Sequence, residues 1–530
     1  MFVSLCLLLV FFGLIVLELS SVSCVSLSAF FSPFSYPCGL MDFSVCFDFV
    51  SIISIYMLFV CSLLAFVYCF HYFSGSLDSS LLFLLMVWFV GVMGLLMFSN
   101  SLIFSLVMWE YLGFVSFLLI LFYSNMSSMR ASLVTLFSSR FGDVALFGLV
   151  AMCFWVGVEL GLFSFVCLLL VVITKSASFP FVSWLLEAMR APTPVSSLVH
   201  SSTLVAAGVW FIVRYGLYVP DCGFIWIFVG SILTILITGV CAVFFVDLKK
   251  IVALSTCNNI GWCLIYYCCG DWLLVLFQLV VHGVSKCVLF MLVGDVMSAS
   301  AGAQIYLGVY AYRYVGVYGS VLLGLLIFSL CGLPFMGIFF VKHFFLVSSV
   351  SGGLSLVCLF MLFLGFFVSY VYSFRFILIL CASCCGLGSG YVSSFVLVGV
   401  VSFLGTLVSV FFVNGSEELE VLSWGVSVGF LLIQLSGSIL GYLIYEYKFM
   451  GSFWDSVLWG NDSLVGLCYG MFDLFKDSCV VSFYRWEVAL VMMVMGFIRG
   501  LSFSSMMFMF SFNFVVVGVV YYVFMGVFLY

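Results

Sequence analysis

Three of the chain's seven lysines, Lys175, Lys286 and Lys342, lie inside stretches otherwise apolar enough to cross a bilayer. An ammonium at mid-membrane costs about 2.5–3.5 kcal/mol on insertion scales, so lysines there are rare and usually mark a proton or ion path. Other polar groups join them. Glu110 follows Trp109 about a third of the way into an apolar segment. Arg140 and Asp143 are three apart, hence on one helix face. Gln278, His282 and Lys286 recur at intervals of four, a polar ladder of about 12 Å at 1.5 Å rise per residue. His200 sits among Ser196, Ser197, Ser201, Ser202 and Thr203, hydroxyls that give water something to bind. Lysine, carboxylate and imidazole in series suit proton transfer. Competing readings are a structural ion pair for the charges, a packed side chain for His200, helix-to-helix hydrogen bonding for Gln278 and His282, and an interfacial lysine reaching water for Lys342.

The elements that must hold these groups are membrane helices. The chain has 530 residues, 66% hydrophobic and only 7% charged, too little polar surface for a soluble globular protein. At about 20 residues per crossing, spans are expected at 2–20, 48–72, 79–98, 101–123, 131–153, 160–190, 194–216, 222–245, 250–268, 271–298, 318–348, 353–380, 393–413, 425–447 and 512–529. The expected fold is an all-α polytopic membrane protein of about fifteen transmembrane helices. Residues 22–40 are open to a re-entrant piece. Met1–Leu19 carries one acid, Glu18, and no basic flank, so it reads as a first span and not a cleaved signal.

The sixth and eleventh spans are too long for one plain helix, and each holds a central proline, Pro180 or Pro334. Proline breaks the helical ladder, and such breaks survive at membrane depth only inside protein or beside a wet cavity. Five crossings apart, they run in opposite directions, the mark of an inverted repeat. The expected organisation is N-terminal transmembrane helices at 1–78, a first five-helix repeat at 79–216, a second, inverted one at 222–380, and C-terminal transmembrane helices at 393–447. A helix lying along the membrane surface is expected at 451–500, where Asp455, Asp462, Asp473, Lys476, Asp477, Arg485, Glu487 and Arg499 are too dense to span. A terminal transmembrane anchor follows at 512–529. Arg130, Arg190, Lys249, Lys250, Arg313, Arg375 and Lys448 all mark even-numbered exits, which the positive-inside rule places at the matrix or cytoplasm. Arg214 is the exception.

Several chemistries are excluded. There is no Rossmann glycine fingerprint, no P-loop and no credible Fe–S cysteine set. Cys381, Cys384 and Cys385 form one CxxCC without a second pair, so no metal site is expected. Net charge of −6 implies no nucleic-acid partner. The 65 Phe and 22 Cys against 7 Pro and 4 His suggest a codon-biased organelle genome, with a bacterial plasma membrane as the alternative.

Beyond these readings, Trp109-Glu110 with Ser116-Phe117-Leu118-Leu119-Ile120 resembles the antiporter-like subunits of proton-pumping NADH–ubiquinone oxidoreductase, respiratory complex I. So do Arg140-Phe141-Gly142-Asp143, the run Ala188-Met189-Arg190-Ala191-Pro192-Thr193-Pro194-Val195-Ser196-Ser197-Leu198-Val199-His200-Ser201-Ser202-Thr203, and Asp247-Leu248-Lys249-Lys250. The His282-to-Lys286 spacing and Leu333-Pro334 followed by Gly337 and Lys342 extend the match, which covers about residues 45 to 380. The long run is unlike the chain 2 and chain 4 branches.

The resemblance implies a switching ion pair between Glu110 and Lys175, tuned by Arg140 and Asp143, and a polar axis through His200, His282 and Lys286 toward Lys342. It implies a mitochondrial inner-membrane location and a pump module with no cofactor in this chain. NADH, FMN, Fe–S clusters and ubiquinone would belong to partner subunits. Its partners would be other membrane-arm subunits, especially the chain 4 and chain 2 homologues, and lipids. Gln278 stands where the family often has a histidine, His343 where an acid usually follows the lysine, and one N-terminal span is missing. Two other classes stay open: a subunit of a sodium/proton antiporter, and a structural subunit that does not pump.

Overall fold

A computed structural model describes residues 25–28, 44–73, 78–156, 162–216, 221–300, 302, 304–305, 316–333, 336–351, 354–382, 424–446 and 459–498. The expected spans at 2–20, 393–413 and 512–529, together with Pro334, Arg313, Lys448, Cys384 and Cys385, lie outside the described residues.

Fifteen helices are described: α1 Phe49–Tyr72, α2 Asp78–Phe98, α3 Leu102–Leu121, α4 Met126–Val156, α5 Leu162–Lys175, α6 Ser183–Ala188, α7 Thr193–Tyr215, α8 Asp221–Phe244, α9 Leu248–Cys268, α10 Trp272–Ala299, α11 Gly316–Cys331, α12 Phe339–Ser351, α13 Leu356–Ala382, α14 Trp424–Glu446 and α15 Trp459–Ile498. Ten segments within them are long and apolar enough to cross a membrane, and α5, α11 and α12 contribute shorter apolar helices. Hydroxyls inside the spans are satisfied locally. Ser62, Ser105, Ser116, Thr135 and Ser231, for example, each donate to the carbonyl three residues back, as backbone and side-chain polar groups in lipid must be paired within the protein.

The described residues are helical as expected, with one short strand pair beside the helices. Val25–Ser28 and Ser44–Phe47 pair antiparallel as β1 and β2. Both segments alternate apolar residues with serine or cysteine, a period of two that suits a strand better than a helix.

Both long spans are interrupted where expected. The sixth divides into α5 and α6, the eleventh into α11 and α12. In the first break Ala177 takes a left-handed φ of 51°. Here the sequence caps itself: Ser176 Oγ donates to Val172 O at 2.7 Å, Ser178 Oγ to Ile173 O at 3.3 Å, and Trp184 Nε1 to Thr174 O at 3.0 Å. Three last-turn carbonyls of α5, those of Val172, Ile173 and Thr174, are thereby satisfied. In the second break Gly332 and Gly337 supply φ of 80° and 43°, conformations open to glycine at little cost.

Contacts at the span ends sort the loops into two sets. Arg190 Nη1 donates to Ser127 O at 3.3 Å, Lys249 Nζ to Ala191 O at 3.1 Å, and Arg375 Nη2 to Phe245 O at 3.0 Å. Leu248 N donates to Gln304 O at 3.1 Å. These residues all belong to exits of even-numbered spans, so the basic residues share one end. At the other, Arg214 pairs with Asp48 and donates from Nη2 to Asn100 Oδ1 at 3.2 Å. The exception to the basic-residue pattern is thus an ion-paired arginine.

Contacts divide the chain into a unit ending at Asn461 and a second beginning at Asp462. The second contains nearly all of α15, one continuous 40-residue helix in which Asp473, Lys476, Asp477, Arg485, Trp486 and Glu487 are exposed.

Candidate functional site

The site begins with α3, which buries Trp109, Leu112, Gly113 and Ser116, the i, i+3, i+4, i+7 stripe of one helix face. Glu110 stands on the flank of that stripe, with its side chain 27% exposed. Arg140 of α4 reaches it and forms an ion pair. The Nη1 of the same arginine lies 3.4 Å from Asp143 Oδ2. Asp143 is buried and holds its other oxygen 4.0 Å from Lys175 Nζ, an ion-pair contact too long for a direct hydrogen bond. Four charges of alternating sign therefore run from a half-exposed face to a fully buried ammonium.

Lys175 is the last residue of α5, at the mouth of the first break. Its Nζ sits 5.3 Å from the Trp109 ring centroid, a cation–π contact. Gly113 and Ser139 border it: a Cβ on Gly113 would be 3.7 Å from both Lys175 Nζ and Ser139 Oγ. The Glu110–Lys175 pair implied by the resemblance is not the contact observed. Asp143 is the immediate counter-ion, and Glu110 is paired with Arg140.

His200 lies in a π-helical turn, Val199–Thr203, within α7. Such turns insert one residue into the ladder and recur at functional sites. The loosened carbonyls of Leu198 and Val199 take Thr203 Oγ1 at 2.9 and 3.2 Å. His200 is wholly buried, beside the backbone of Ala188. It packs 6.4 Å from the Trp184 ring, centroid to centroid, and the indole nitrogen of Trp184 binds Thr174 O beside Lys175. One side chain thus joins the first break to the π turn.

The π turn packs against α10. Gln278, His282 and Lys286 form the expected buried ladder there, and the polar side-chain atoms of Gln278 and His282 have no hydrogen-bond partner among the described residues. Lys286 Nζ donates to Ser255 Oγ and, at 3.3 Å, to Val252 O on α9. A cavity of about 20 Å³, room for one water, lies beside it. Its lining includes Ser255, Asn259, Lys286, Cys331, Tyr372 and Ser373. Asn259 Nδ2 has no partner among the described residues.

Across that cavity is the second break. Lys342 Nζ donates to Cys331 O, freed by the end of α11, at 2.6 Å. Its ammonium lies 5.3 Å from the Phe366 ring and 5.5 Å from that of Tyr370. Tyr370 OH donates to Gly332 O at 3.1 Å and accepts from Gln434 Nε2 of α14 at 3.0 Å. Lys342 is fully buried, so it does not reach toward water. His343, next in sequence, is only half-buried and packs against Phe339 and, edge-on, Phe344. Among the described residues neither Lys286 nor Lys342 has a carboxylate partner.

Lys175, His200, His282, Lys286 and Lys342 are each at most 1% exposed. Reading the sequence missed Trp184 as the connector, Asn259 and Ser255 beside Lys286, and the Tyr370–Gln434 support of the second break. Asn258-Asn259 inside an otherwise apolar span was a visible signal; Gln434 was not, because a lone glutamine in a span has no spacing partner. No group of three or more His, Cys, Asp or Glu that could hold a metal occurs among the described residues.

Residues 99–368 match the family model described as NADH:quinone oxidoreductase/Mrp antiporter, transmembrane. NADH-ubiquinone oxidoreductase chain 5 of Locusta migratoria is 31% identical over 448 residues, 78% of this chain and 77% of the relative. Chain 5 of Ascaris suum is 34% identical over 361 residues, 67% and 65% of the two chains, and that of Caenorhabditis elegans 34% over 336 residues, 62% and 64%. The present chain thus spans slightly under two thirds of the length of the two nematode relatives. In fold it is similar to a chain of the Mrp complex from a Dietzia species, with TM-score 0.71, 19% identity, and coverage of 89% of this chain and 56% of that one. A chain of an archaeal membrane-bound sulfane sulfur reductase gives TM-score 0.66 at 15% identity, covering 82% and 90%. The chain belongs to the NADH:quinone oxidoreductase/Mrp antiporter transmembrane family, among relatives that are chain 5 subunits of NADH-ubiquinone oxidoreductase.

Proposed function

We propose that the chain is a proton-translocating membrane subunit of NADH–ubiquinone oxidoreductase. The observation that carries this reading is the file of buried titratable groups from Asp143–Lys175 through His200, His282 and Lys286 to Lys342, ending in two helix breaks. A purely structural role would favour fully paired charges. Here two lysines are held by neutral oxygens, and His282 has no hydrogen-bond partner among the described residues.

Asp143 is shared between Arg140 and Lys175. When Arg140 stays with Glu110, Asp143 favours the protonated lysine; when Arg140 moves onto Asp143, Lys175 loses its counter-charge and gives its proton toward His200. That is a two-state element which a neighbouring subunit can bias at the half-exposed Glu110–Arg140 end. Moving one proton against the membrane potential requires about 2.3 kcal/mol per 100 mV, which must come from redox chemistry in partner subunits carrying FMN, Fe–S clusters, NADH and ubiquinone.

On this reading spans three to seven and eight to twelve are inverted five-helix repeats, about fifteen crossings complete the chain, and α15 lies along the membrane surface against chain 4 and chain 2 homologues and lipid. The basic end faces the matrix of a mitochondrion. The first test is the native complex: rotenone-sensitive NADH oxidation that acidifies the opposite compartment is expected. Transport that requires sodium and neither NADH nor quinone would instead assign the chain to an antiporter.

A further inference from the structure

We propose that His71, Asp295, Tyr68 and Thr193 form a proton intake at the basic end of the molecule, feeding His282 along a row of hydroxyls on α7. The inference rests on the proton-translocating reading above and adds to it a route from bulk water. His71 Nε2 lies 3.7 Å from Asp295 Oδ1, with side chains 32% and 9% exposed. The imidazole therefore meets solvent while the carboxylate does not. Tyr68 is buried one turn before His71 on α1, with its hydroxyl close to both Asp295 and Thr193. The Tyr68 hydroxyl and Thr193 Oγ1 converge over Gly294, where a Cβ would come within 2.5 and 3.0 Å of them. Tyr72 is another titratable group at this point, 5.9 Å from Tyr68 between ring centroids.

The cluster stands at the same end as the basic loops, since the exit of α10 is tied at Gln304 to Leu248, next to Lys249 and Lys250. Inward from it, α7 runs beside α10. Thr193 abuts Gly294, Ser197 and Ser201 lie near the Cys287 thiol while donating to Pro194 O and Ser197 O, and Ser202 borders Gly283, next to His282. Thr193, Ser197 and Ser201 recur at intervals of four, so they share a face. From Asp295 to His282 is about 20 Å at 1.5 Å per residue. A proton taken up at His71 Nε2 leaves that nitrogen as an O–H bond forms on Asp295. Beyond it, water between successive hydroxyls carries the proton, each group accepting one proton as it releases its own, so no net charge is left behind. His71 favours a proton over a metal cation, because the imidazolium that the route requires would repel one. Neither His71 nor Tyr68 lies within the 99–368 stretch that matches the family model.

The test uses the assembled complex in sealed membranes, measuring protons moved per NADH oxidised for Asp295→Asn, Asp295→Glu, His71→Gln and Lys175→Met. Asn keeps the shape of Asp295 and its capacity to bond Tyr68 but cannot carry the proton. Asp295→Asn is expected to lose the same share of translocation as Lys175→Met, His71→Gln to lower it, and Asp295→Glu to restore it. If Asp295→Asn does not assemble, His71→Gln decides in the same assay. Normal translocation in Asp295→Asn or His71→Gln with loss in Lys175→Met overturns the intake and leaves the pump. Normal translocation in all variants overturns both. Sodium dependence that disappears in Asp295→Asn overturns the assignment of the proton.

Discussion

Lys175 faces Asp143 across 4.0 Å, while Glu110 is engaged by Arg140. The carboxylate nearest the ammonium controls its charge most strongly, because the attraction falls with distance and is barely screened in a buried site. Asp143→Asn is therefore expected to be the more damaging change, removing proton translocation and destabilising the chain by about 3 kcal/mol through an uncompensated buried charge. Glu110→Gln is expected to leave partial pumping. Comparing protons per NADH in the two variants checks the order; a loss in Glu110→Gln as large as or larger than in Asp143→Asn would overturn it.

Gly208 lets α7 pass against the first break, since a Cβ there would come 2.8 Å from Ser176 N. Gly208→Ala is expected to destabilise the chain by about 1–3 kcal/mol, because backbone cannot swing aside. Gly230→Ala, with nothing within 4 Å of its Cβ, is expected to be neutral or stabilising by up to about 1 kcal/mol. Thermal unfolding of the two variants separates them.

The second break leans on Tyr370, whose hydroxyl spans Gly332 O and Gln434. Tyr370→Phe is expected to cost about 1–3 kcal/mol by leaving both partners unsatisfied. Gln434→Leu is expected to cost less, and the double variant little more than Tyr370→Phe alone. A double-mutant cycle on the thermal midpoint shows the coupling; full additivity would mean that Gln434 does not hold Tyr370.

Much of this was open to a reader of the residues. Pro180 and the length of residues 160–190 marked the first break, and Ser176 and Ser178 are the donors that cap it. The ladder from Gln278 to Lys286 followed from a spacing of four. What stayed hidden depended on partners far apart in the chain. Asp48 and Arg214 are separated by 166 positions, His71 and Asp295 by more than 200, and nothing local announces either pair. The turn of α3 that aims Glu110 at Arg140 was half visible: Trp109, Leu112, Gly113 and Ser116 define the buried stripe, and Glu110 is off it. The short β1–β2 ladder was masked by a composition that elsewhere builds membrane helices.

The central claim is that the buried ammonium at the first helix break carries protons. Lys175→Met in the assembled complex replaces it with a side chain of similar length and no charge. The account predicts intact assembly, judged by size of the native complex, with a clear fall in protons moved per NADH oxidised. An unchanged ratio in a fully assembled variant would contradict it.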